Sequence, residues 1–301
     1  MRGRSLVLAL VAALSSGTVM PAAATAQIPG SLWVCPMHPD VQQAGEGTCP
    51  RCNMALVPFK PGVYTPYLLQ TKLESRFEAG KPATISFRVL HPRTREQAGE
   101  FLVVHERPAH LFIASEDLAV LDHVHPEVMP DGELRITWTP PQPGRYRMFV
   151  DVVPAGDLPQ MLEAVVESMD VDKAPPPPVW QPAFTATVGG VTARMVITGG
   201  QAFAGRESQV ELELNDASTG RPIDGWEPWL GAWAHFFALR EDASEPTHAH
   251  PEDAFLVRTE LATKVHFDVI FPRAGTYRAW VQLQRKGQVL TLPFTVRVDG
   301  Y

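Results

Sequence analysis

The chain has 301 residues, of which 45% are hydrophobic and 20% are charged, and its formal net charge at pH 7 is −7. This length is enough for two domains of ordinary size. The acidic balance argues against nucleic acid as a partner and is compatible with cations. Three cysteines, an odd number, fit a framework of disulfides poorly.

Residues 1–26 have the pattern of a secretory signal peptide. Arginines begin the segment, an apolar run follows, and Ala24-Thr25-Ala26 offers small residues for cleavage before Gln27. The apolar run is too short to span a bilayer, so we expect no membrane span in the mature chain. The sequence therefore predicts a periplasmic or secreted protein that is cleaved after Ala26.

Residues 32–59 contain all three cysteines in two Cys-Pro knuckles. Cys35 and His38 are the ends of the first knuckle, and Cys49 and Cys52 are the ends of the second. The tight turn of a knuckle points both of its end residues the same way, so that they converge on one ion. Three sulfurs and one imidazole form a tetrahedral set suited to zinc. We therefore predict a metal-binding module here.

Two methionines, Met37 and Met54, lie beside the knuckles, and thioether sulfur is a soft ligand that prefers copper(I). The sequence thus leaves zinc, copper and silver open as the metal ion. The alternative is a disulfide between Cys49 and Cys52 with Cys35 as a leftover thiol. A histidine at the fourth ligand position favours the metal site over that alternative. So short a segment cannot fold unaided, and metal ligation would supply its folding energy.

This module resembles the short heavy-metal-binding domain found near the ends of copper-transporting P-type ATPases and on metal-efflux adaptor proteins. The matching residues are Cys35, Pro36, Met37, His38 and Pro39, then Cys49, Pro50, Cys52, Met54, Leu56 and Pro58. Asn53 stands where the family usually has glycine, and asparagine tolerates the positive φ that a knuckle often needs. The resemblance implies a heavy-metal ion as the partner.

Two copies of one unit occupy the rest of the chain. The first copy is predicted at 64–172, a proline-rich linker at 173–182, and the second copy at 183–301. A shift of 125 positions aligns residues 79–127 with 204–252 without a gap, and a shift of 131 aligns the later strands. A unit of this length is not a solenoid repeat, so each copy is expected to be a complete domain. The four consecutive prolines of the linker predict an extended spacer.

Both copies have the alternating pattern of β-strands. Residues 84–90 and 209–214 switch between apolar and polar side chains with period two, and similar runs recur between turn residues. Only residues 158–169 have a helical pattern, and a weak one. The predicted fold class is mainly β, with the small module followed by two tandem immunoglobulin-like or cupredoxin-like β-sandwiches.

Three histidines of each copy are predicted to converge on one patch. A tight hairpin turn near Glu116-Asp117 would place His110 opposite His123, and alternation along the strand points His123 and His125 to the same face. The duplication predicts the same for the second copy, at His235, His248 and His250. Three imidazoles with an open position suit copper or zinc.

Further candidate ligands in the first copy are His105, Met129 and Met148, and Leu230 stands at the position of His105 in the second copy. The alternative to metal binding is a corner in which the imidazoles hydrogen bond to carbonyls and carboxylates. In that case Asp117 and Asp242 would fix the rings.

The sequence contains no serine-centred elbow, no phosphate-binding glycine loop and no paired carboxylates on a recognisable scaffold, so we expect no enzymatic activity. It favours a scavenger or carrier of copper or another heavy metal that acts by ligand exchange between the module and the histidine clusters. The alternative is a structural or interaction protein whose β-domains dock on a metal-efflux or copper-handling partner, with metal only folding the module.

Overall fold

The computed structural model describes residues 32–36, 38–52, 54–61, 64–223, 225–251 and 264–300. The predicted signal peptide, Met37 and Asn53 lie outside this part of the chain. Within it, almost all regular structure is β, and the two helical segments are single 3₁₀ turns at Val171–Lys173 and Thr198–Gly200. No helix in the described ranges is both long enough and apolar enough to cross a membrane.

Three short strands form the amino-terminal module: β1 (Leu32–Val34), β2 (Gln42–Gln43) and β3 (Val57–Phe59). They make an antiparallel sheet in the order β2-β1-β3. One face of this sheet places Val34 and Phe59 against Val153 of the first copy. The module therefore packs on the first copy through an apolar contact.

Eight strands form the first copy: β4 (Leu68–Leu73), β5 (Ala83–Leu90), β6 (Ala109–Ser115), β7 (Leu121–Val124), β8 (Glu127–Val128), β9 (Leu134–Trp138), β10 (Arg145–Val152) and β11 (Gln160–Glu167). They make two antiparallel sheets, β4-β5-β9-β8 and β11-β10-β6-β7. Alternation in β5 points Ile85, Phe87 and Val89 into the core between the sheets. Two sheets packed face to face form a β-sandwich.

Ten strands form the second copy: β12 (Thr185–Val188), β13 (Val191–Ile197), β14 (Ala202–Phe203), β15 (Glu207–Asp216), β16 (Trp226–Glu227), β17 (His235–Arg240), β18 (Thr247–Ala249), β19 (Lys264–Ile270), β20 (Gly275–Arg285) and β21 (Gln288–Asp299). One sheet is β12-β13-β15-β19, and the other is β14-β21-β20-β17-β18 with β16 beside β20. A core that includes Phe236, Phe267 and Phe294 lies between them. The prediction of two tandem sandwiches is confirmed.

One sequence expectation is wrong at the local level. Residues 158–169 have a weakly helical pattern, but Gln160–Glu167 forms β11, paired along its length with β10. Leu162 and Val166 of this strand reach the core of the first copy. Burial of alternate side chains and a full ladder of backbone hydrogen bonds outweigh a weak helical propensity.

A tyrosine corner recurs in both copies. The Tyr146 hydroxyl donates to the carbonyl of Gln142 at 2.6 Å, and the Tyr277 hydroxyl donates to the carbonyl of Arg273 at 3.1 Å. A shift of 131 positions converts one pair into the other. This corner is a hallmark of immunoglobulin-like sandwiches.

The two copies pack against each other through equivalent faces. Phe112 of β6 stacks on Phe237 of β17, its equivalent under the shift of 125, with ring centroids 4.2 Å apart and planes 6° from parallel. Around this pair lie Ala114, Leu118, Phe149, Leu239, Ala243 and Trp280, which are also equivalents of one another. Contact between equivalent residues defines a pseudo-two-fold axis through the stacked rings, as in an isologous dimer.

We expect the stacked pair to stabilise the whole chain. Phe237→Ala should lower the free energy of unfolding by about 3–5 kcal/mol, as for other large buried aromatics. A double-mutant cycle with Phe112→Ala should give a coupling of about 0.5–1.5 kcal/mol in urea denaturation. The matched cycle of Phe237 with Phe87, which faces the first core, should be additive. If the losses in free energy of unfolding were additive in both cycles, the stacking of Phe112 on Phe237 would be contradicted.

Candidate metal centres

The four predicted ligands of the module meet at one point. Cys35 Sγ lies 3.6 Å from Cys52 Sγ and 3.7 Å from His38 Nδ1, and Cys49 Sγ lies 3.5 Å from His38 Nδ1. All three cysteines are buried and free of disulfides. The alternative, a disulfide between Cys49 and Cys52, therefore has no support in this structure.

These distances fit the edges of a tetrahedron around one ion. With metal–sulfur bonds of about 2.3 Å and metal–nitrogen bonds of about 2.0 Å, the sulfurs lie about 3.8 Å apart and each sulfur lies about 3.5 Å from the nitrogen. The backbone sets this arrangement, because the Cys49 amide donates to the Met54 carbonyl at 2.8 Å and closes the second knuckle. The Met54 side chain packs against the cysteines.

The chemistry of the buried thiols also favours a cation. A hydrogen bond with Cys35, followed by burial, raises the pKa of Cys52 well above the ordinary value for a thiol. Without a cation the Cys52 sulfur therefore holds its proton. Metal binding would displace that proton and supply the positive charge that buried thiolates require.

The histidines of the first copy converge as a triad. His110, His123 and His125 each offer one ring nitrogen, and these nitrogens lie within 4.8 Å of one another. His110 Nδ1 is 3.1 Å from His123 Nε2. Nε2 of His125 is buried and has no hydrogen-bond partner among the described residues.

The second copy repeats this triad. The ring nitrogens of His235, His248 and His250 also lie within 4.8 Å of one another, and His250 Nε2 is 2.8 Å from His235 Nδ1. Nε2 of His248 and Nδ1 of His250 are buried without a partner in the described part of the chain. Buried ring nitrogens that lack partners are costly unless something else binds them.

The register of the hairpin differs from the predicted one. His123 pairs with Phe112, not with His110, because a five-residue loop at 116–120 joins β6 to β7. Leu118 of this loop has a positive φ of 58°, and its amide donates to the Ser115 carbonyl. A slip of two residues leaves every side chain on its predicted face, so His110 and His123 still meet.

Backbone carbonyls fix one histidine of each triad. Nε2 of His110 donates to the Val104 carbonyl at 3.0 Å, and Nε2 of His235 donates to the Trp229 carbonyl at 3.0 Å. A neutral imidazole carries only one proton, so Nδ1 of both histidines holds a lone pair that points into its triad.

The other copy orients the second histidine of each triad. Nδ1 of His123 faces Gln282 Oε1 at 3.1 Å, and Nδ1 of His248 faces Asp151 Oδ2 at 3.1 Å. Gln282 donates its amide to Thr291, which leaves Oε1 as the acceptor for His123. With Nδ1 protonated, Nε2 of both histidines holds a lone pair that is free for an ion.

In the first triad, two lone pairs thus face each other across 3.1 Å, at His110 Nδ1 and His123 Nε2. Such a pair repels unless a cation lies between or beside the two atoms. Oxygen atoms that orient metal-binding imidazoles through their far nitrogens are typical of metal sites. The arrangement can therefore bind a metal ion by its own chemistry.

The carboxylates expected to fix the rings do not do so. Asp117 accepts from Ser115 and Gln142, and Asp242 pairs with Arg240. Val104, Trp229, Asp151 and Gln282 perform that role instead, and sequence reasoning missed all four. The duplication contained the signal for the last two, because Asp151 and Gln282 are equivalents under the shift of 131.

The additional candidates of the first copy lie in three different places. His105 lies against the second triad, with its ring centroid 3.9 Å from that of His250 and its Nε2 buried. Met148 belongs to the hydrophobic core of the first sandwich and is fully buried there. Met129 lies in the turn between β8 and β9, within the opposite sheet from His110.

Burial keeps most of these imidazoles neutral, which is the form that binds metals. Burial first, and then the charges of His248 and His110, lower the pKa of His105 to about 3. Burial, His110 and Arg107 lower the pKa of His125 to about 4. Burial is also the main cause of the lowered pKa values of His110, His123, His235 and His250.

A cleft joins the module to the second triad. It has a volume of about 300 Å³, and its walls include His38 and Cys52 on one side and His248 and His250 on the other. Arg51, inside the second knuckle, crosses to the second copy and pairs with Glu207 at 2.9 Å and Asp268 at 3.1 Å. The cysteine site and the histidine site thus face one shared space.

Family models match two parts of the chain. The model described as Domain of unknown function (DUF8832) matches residues 67–168 and 186–300, and the model of the heavy metal binding domain matches residues 32–58. The second match confirms the resemblance carried by the knuckles. The amino-terminal module is a heavy metal binding domain.

Among curated proteins, a silver-exporting P-type ATPase of Salmonella typhimurium is 50% identical to this chain over 32 residues. That segment is 11% of this chain and 4% of the ATPase, so the chain spans only a small part of its relative.

Two solved structures are similar at a low level. The Escherichia coli adhesin FdeC is 13% identical, with 81% of this chain and 73% of that chain covered and a TM-score of 0.24. Invasin, a bacterial integrin-binding protein, is 11% identical, with 77% and 39% covered and a TM-score of 0.23.

We expect acid to destabilise the metal-free protein through its histidines. Imidazoles in the unfolded chain titrate near 6.5, whereas the pKa values of His105 and His125 in the folded chain are about 3 and about 4. The unfolded state therefore binds more protons below pH 6.5. The stabilisation is fully present above about pH 6.5 and is lost as the pH falls toward 3.

His105→Leu tests this dependence, because it installs the residue found at the equivalent position, Leu230. In chelator-treated protein the variant should unfold with a shallower dependence of free energy on pH, by about one proton near pH 5. Replacement of His91, a histidine outside both triads, serves as the control. An unchanged slope in His105→Leu would contradict the burial of a neutral imidazole at this position.

Proposed function

The chain belongs to the family described as Domain of unknown function (DUF8832), and we propose that it is a periplasmic or secreted carrier of heavy-metal ions. The observation that carries the proposal is the Cys35, His38, Cys49 and Cys52 tetrahedron, whose atoms are spaced for one ion. The signal-peptide pattern of residues 1–26 supports export.

The soft sulfur ligands of the module suit copper(I), silver(I) or zinc, and the imidazole triads suit copper or zinc. In this proposal the module captures an ion and passes it to a histidine triad by ligand exchange. Each exchange replaces one ligand with another, so no covalent chemistry and no catalysis are needed.

The shared cleft supports transfer between the module and the second triad. His38 and Cys52 line it from the module, and His248 and His250 line it from the second copy. An ion that leaves the knuckles therefore has imidazole ligands available across one confined space. The Arg51 ion pairs hold the module over this space.

Metal analysis of the exported full-length protein tests the proposal. The protein should hold about three equivalents, one in the module and one in each triad, and the Cys49→Ser/Cys52→Ser variant should keep about two. His91→Ala, which changes a histidine outside the triads, should lose none.

One equivalent in the full protein and none in the double serine variant would overturn the carrier proposal. The β-sandwiches would then be scaffolding. In that case a structural or interaction protein, whose β-domains dock on a metal-efflux partner, would be the better account.

Arg51→Ala should slow transfer without weakening capture. The variant removes the ion pairs with Glu207 and Asp268, so the second knuckle is no longer fixed over the cleft, although the module still packs on Val153 of the first copy. We expect transfer from module to triads to be slower by roughly tenfold, since donor and acceptor ligands are then less well oriented. Stopped-flow measurement of the transfer rate checks this, with Lys60→Ala as the control that also removes one positive charge. Equal transfer rates in Arg51→Ala and the unaltered protein would show that docking of the module on the second copy does not affect transfer.

A further inference from the structure

The two histidine triads are built alike but stand in different electrostatic surroundings. Their ligand histidines are equivalent, and both contain a first histidine held by a backbone carbonyl. The groups that orient the second histidine differ, because Gln282 faces His123 whereas Asp151 faces His248. One orienting group is a neutral amide, and the other is a carboxylate.

Both orienting groups occupy the same place in their own copies. Asp151 is the cross-strand partner of His110 in the β6–β10 pair, and Gln282 is the cross-strand partner of His235 in the β17–β20 pair. Each reaches over the pseudo-two-fold axis to the histidine of the opposite copy. The duplication has therefore kept the position of the orienting group and changed its charge.

A second difference acts in the same direction. Burial is the main cause of the lowered pKa values of His110 and His125, and the nearby positive charge of Arg107 lowers them further. The equivalent position in the second copy is the buried Ala232. Asp151 also acts on His110, but there the charge of Arg107 opposes it. Among the described residues, only the second triad has a carboxylate within hydrogen-bond distance of a ligand histidine, and Ala232 stands there in place of Arg107.

Charge decides which ion each triad holds. Three neutral imidazoles leave the full charge of a bound ion uncompensated in a buried site, and this cost rises with the charge of the ion. A carboxylate hydrogen bonded to a ligand offsets part of that charge and strengthens the imidazole as a donor. The offset is worth about twice as much for a divalent ion as for a monovalent one.

We infer that the two triads differ in ion preference. The second triad, completed across the interface by Asp151, is the tight site for a divalent ion such as zinc(II) or copper(II). The first triad, beside Gln282 and Arg107, binds divalent ions more weakly and discriminates less against a monovalent ion such as silver(I). Asp151 acts here as a positioning residue through His248. This inference rests on the proposed function, since it requires the triads to bind metal.

The test uses the full chain with Cys35, Cys49 and Cys52 replaced by serine, so that the module does not compete. His125→Ala leaves the second triad to be measured alone, and His250→Ala leaves the first. Zinc(II) and silver(I) are the probes, titrated against competing chelators. We expect zinc(II) to bind the second triad at least tenfold more tightly than the first.

Two isosteric substitutions then exchange the charges. Asp151→Asn should weaken zinc(II) at the second triad by about 10–100-fold, and Gln282→Glu should tighten zinc(II) at the first triad by a similar factor. The shift in log affinity for silver(I) should be about half as large in each case. Asp131→Asn, which removes the same charge from an exposed turn, should change neither affinity.

The outcomes separate the inference from the proposed function. The inference would be overturned if the two triads had equal affinities for zinc(II). It would also be overturned if Asp151→Asn shifted the log affinities for zinc(II) and silver(I) equally, because a purely structural role of Asp151 would affect both ions alike. Binding of neither ion by either triad would overturn the carrier proposal as well. Unfolding midpoints of the metal-free variants show whether a loss of metal binding results from unfolding. The tighter zinc(II) binding expected in Gln282→Glu cannot result from unfolding.

Discussion

Lone pairs that face each other in a buried interface are the constraint on which the rest of this molecule depends. His110 Nδ1 and His123 Nε2 lie 3.1 Å apart, and each ring is committed through its other nitrogen to an oxygen atom. The oxygens come from different copies, so the two sandwiches must stay in register for the lone pairs to meet. The stacking of Phe112 on Phe237 maintains that register. The apolar interface and the polar site are therefore one structural unit.

The amino-terminal module depends on both sandwiches for its position. Its own core is small, and its sheet completes that core on Val153 of the first copy. Its second knuckle is tied to the second copy through Arg51. A heavy metal binding domain that contacts both sandwiches is held over the cleft that His248 and His250 of the second copy line. Packing thus decides where the module's ion is presented, and the knuckles decide which ion it is.

Much of this arrangement could be predicted from the sequence, and the features that could not be predicted have two physical causes. Periodicity identified the strands, spacing identified the knuckle ligands, and hairpin pairing with strand alternation placed His110, His123 and His125 on one face. Each of these is a local property of the chain or a comparison of two segments. The register of the β6–β7 hairpin was missed by two residues, because loop length depends on the conformation of a single residue, Leu118.

The contacts between copies could not be predicted, because they depend on how two separately folded units dock. The repeat matches Asp151 with Gln282, but nothing in the sequence shows which histidine either residue contacts. Only the pseudo-two-fold axis makes each of them the neighbour of a histidine in the other copy. Duplication explains why such contacts arise in pairs, since any residue that crosses the axis is matched by its equivalent. Divergence at one member of a pair then changes one site and leaves the other intact. A duplicated protein built in this way can acquire two ion preferences from one ancestral site without altering a single ligand.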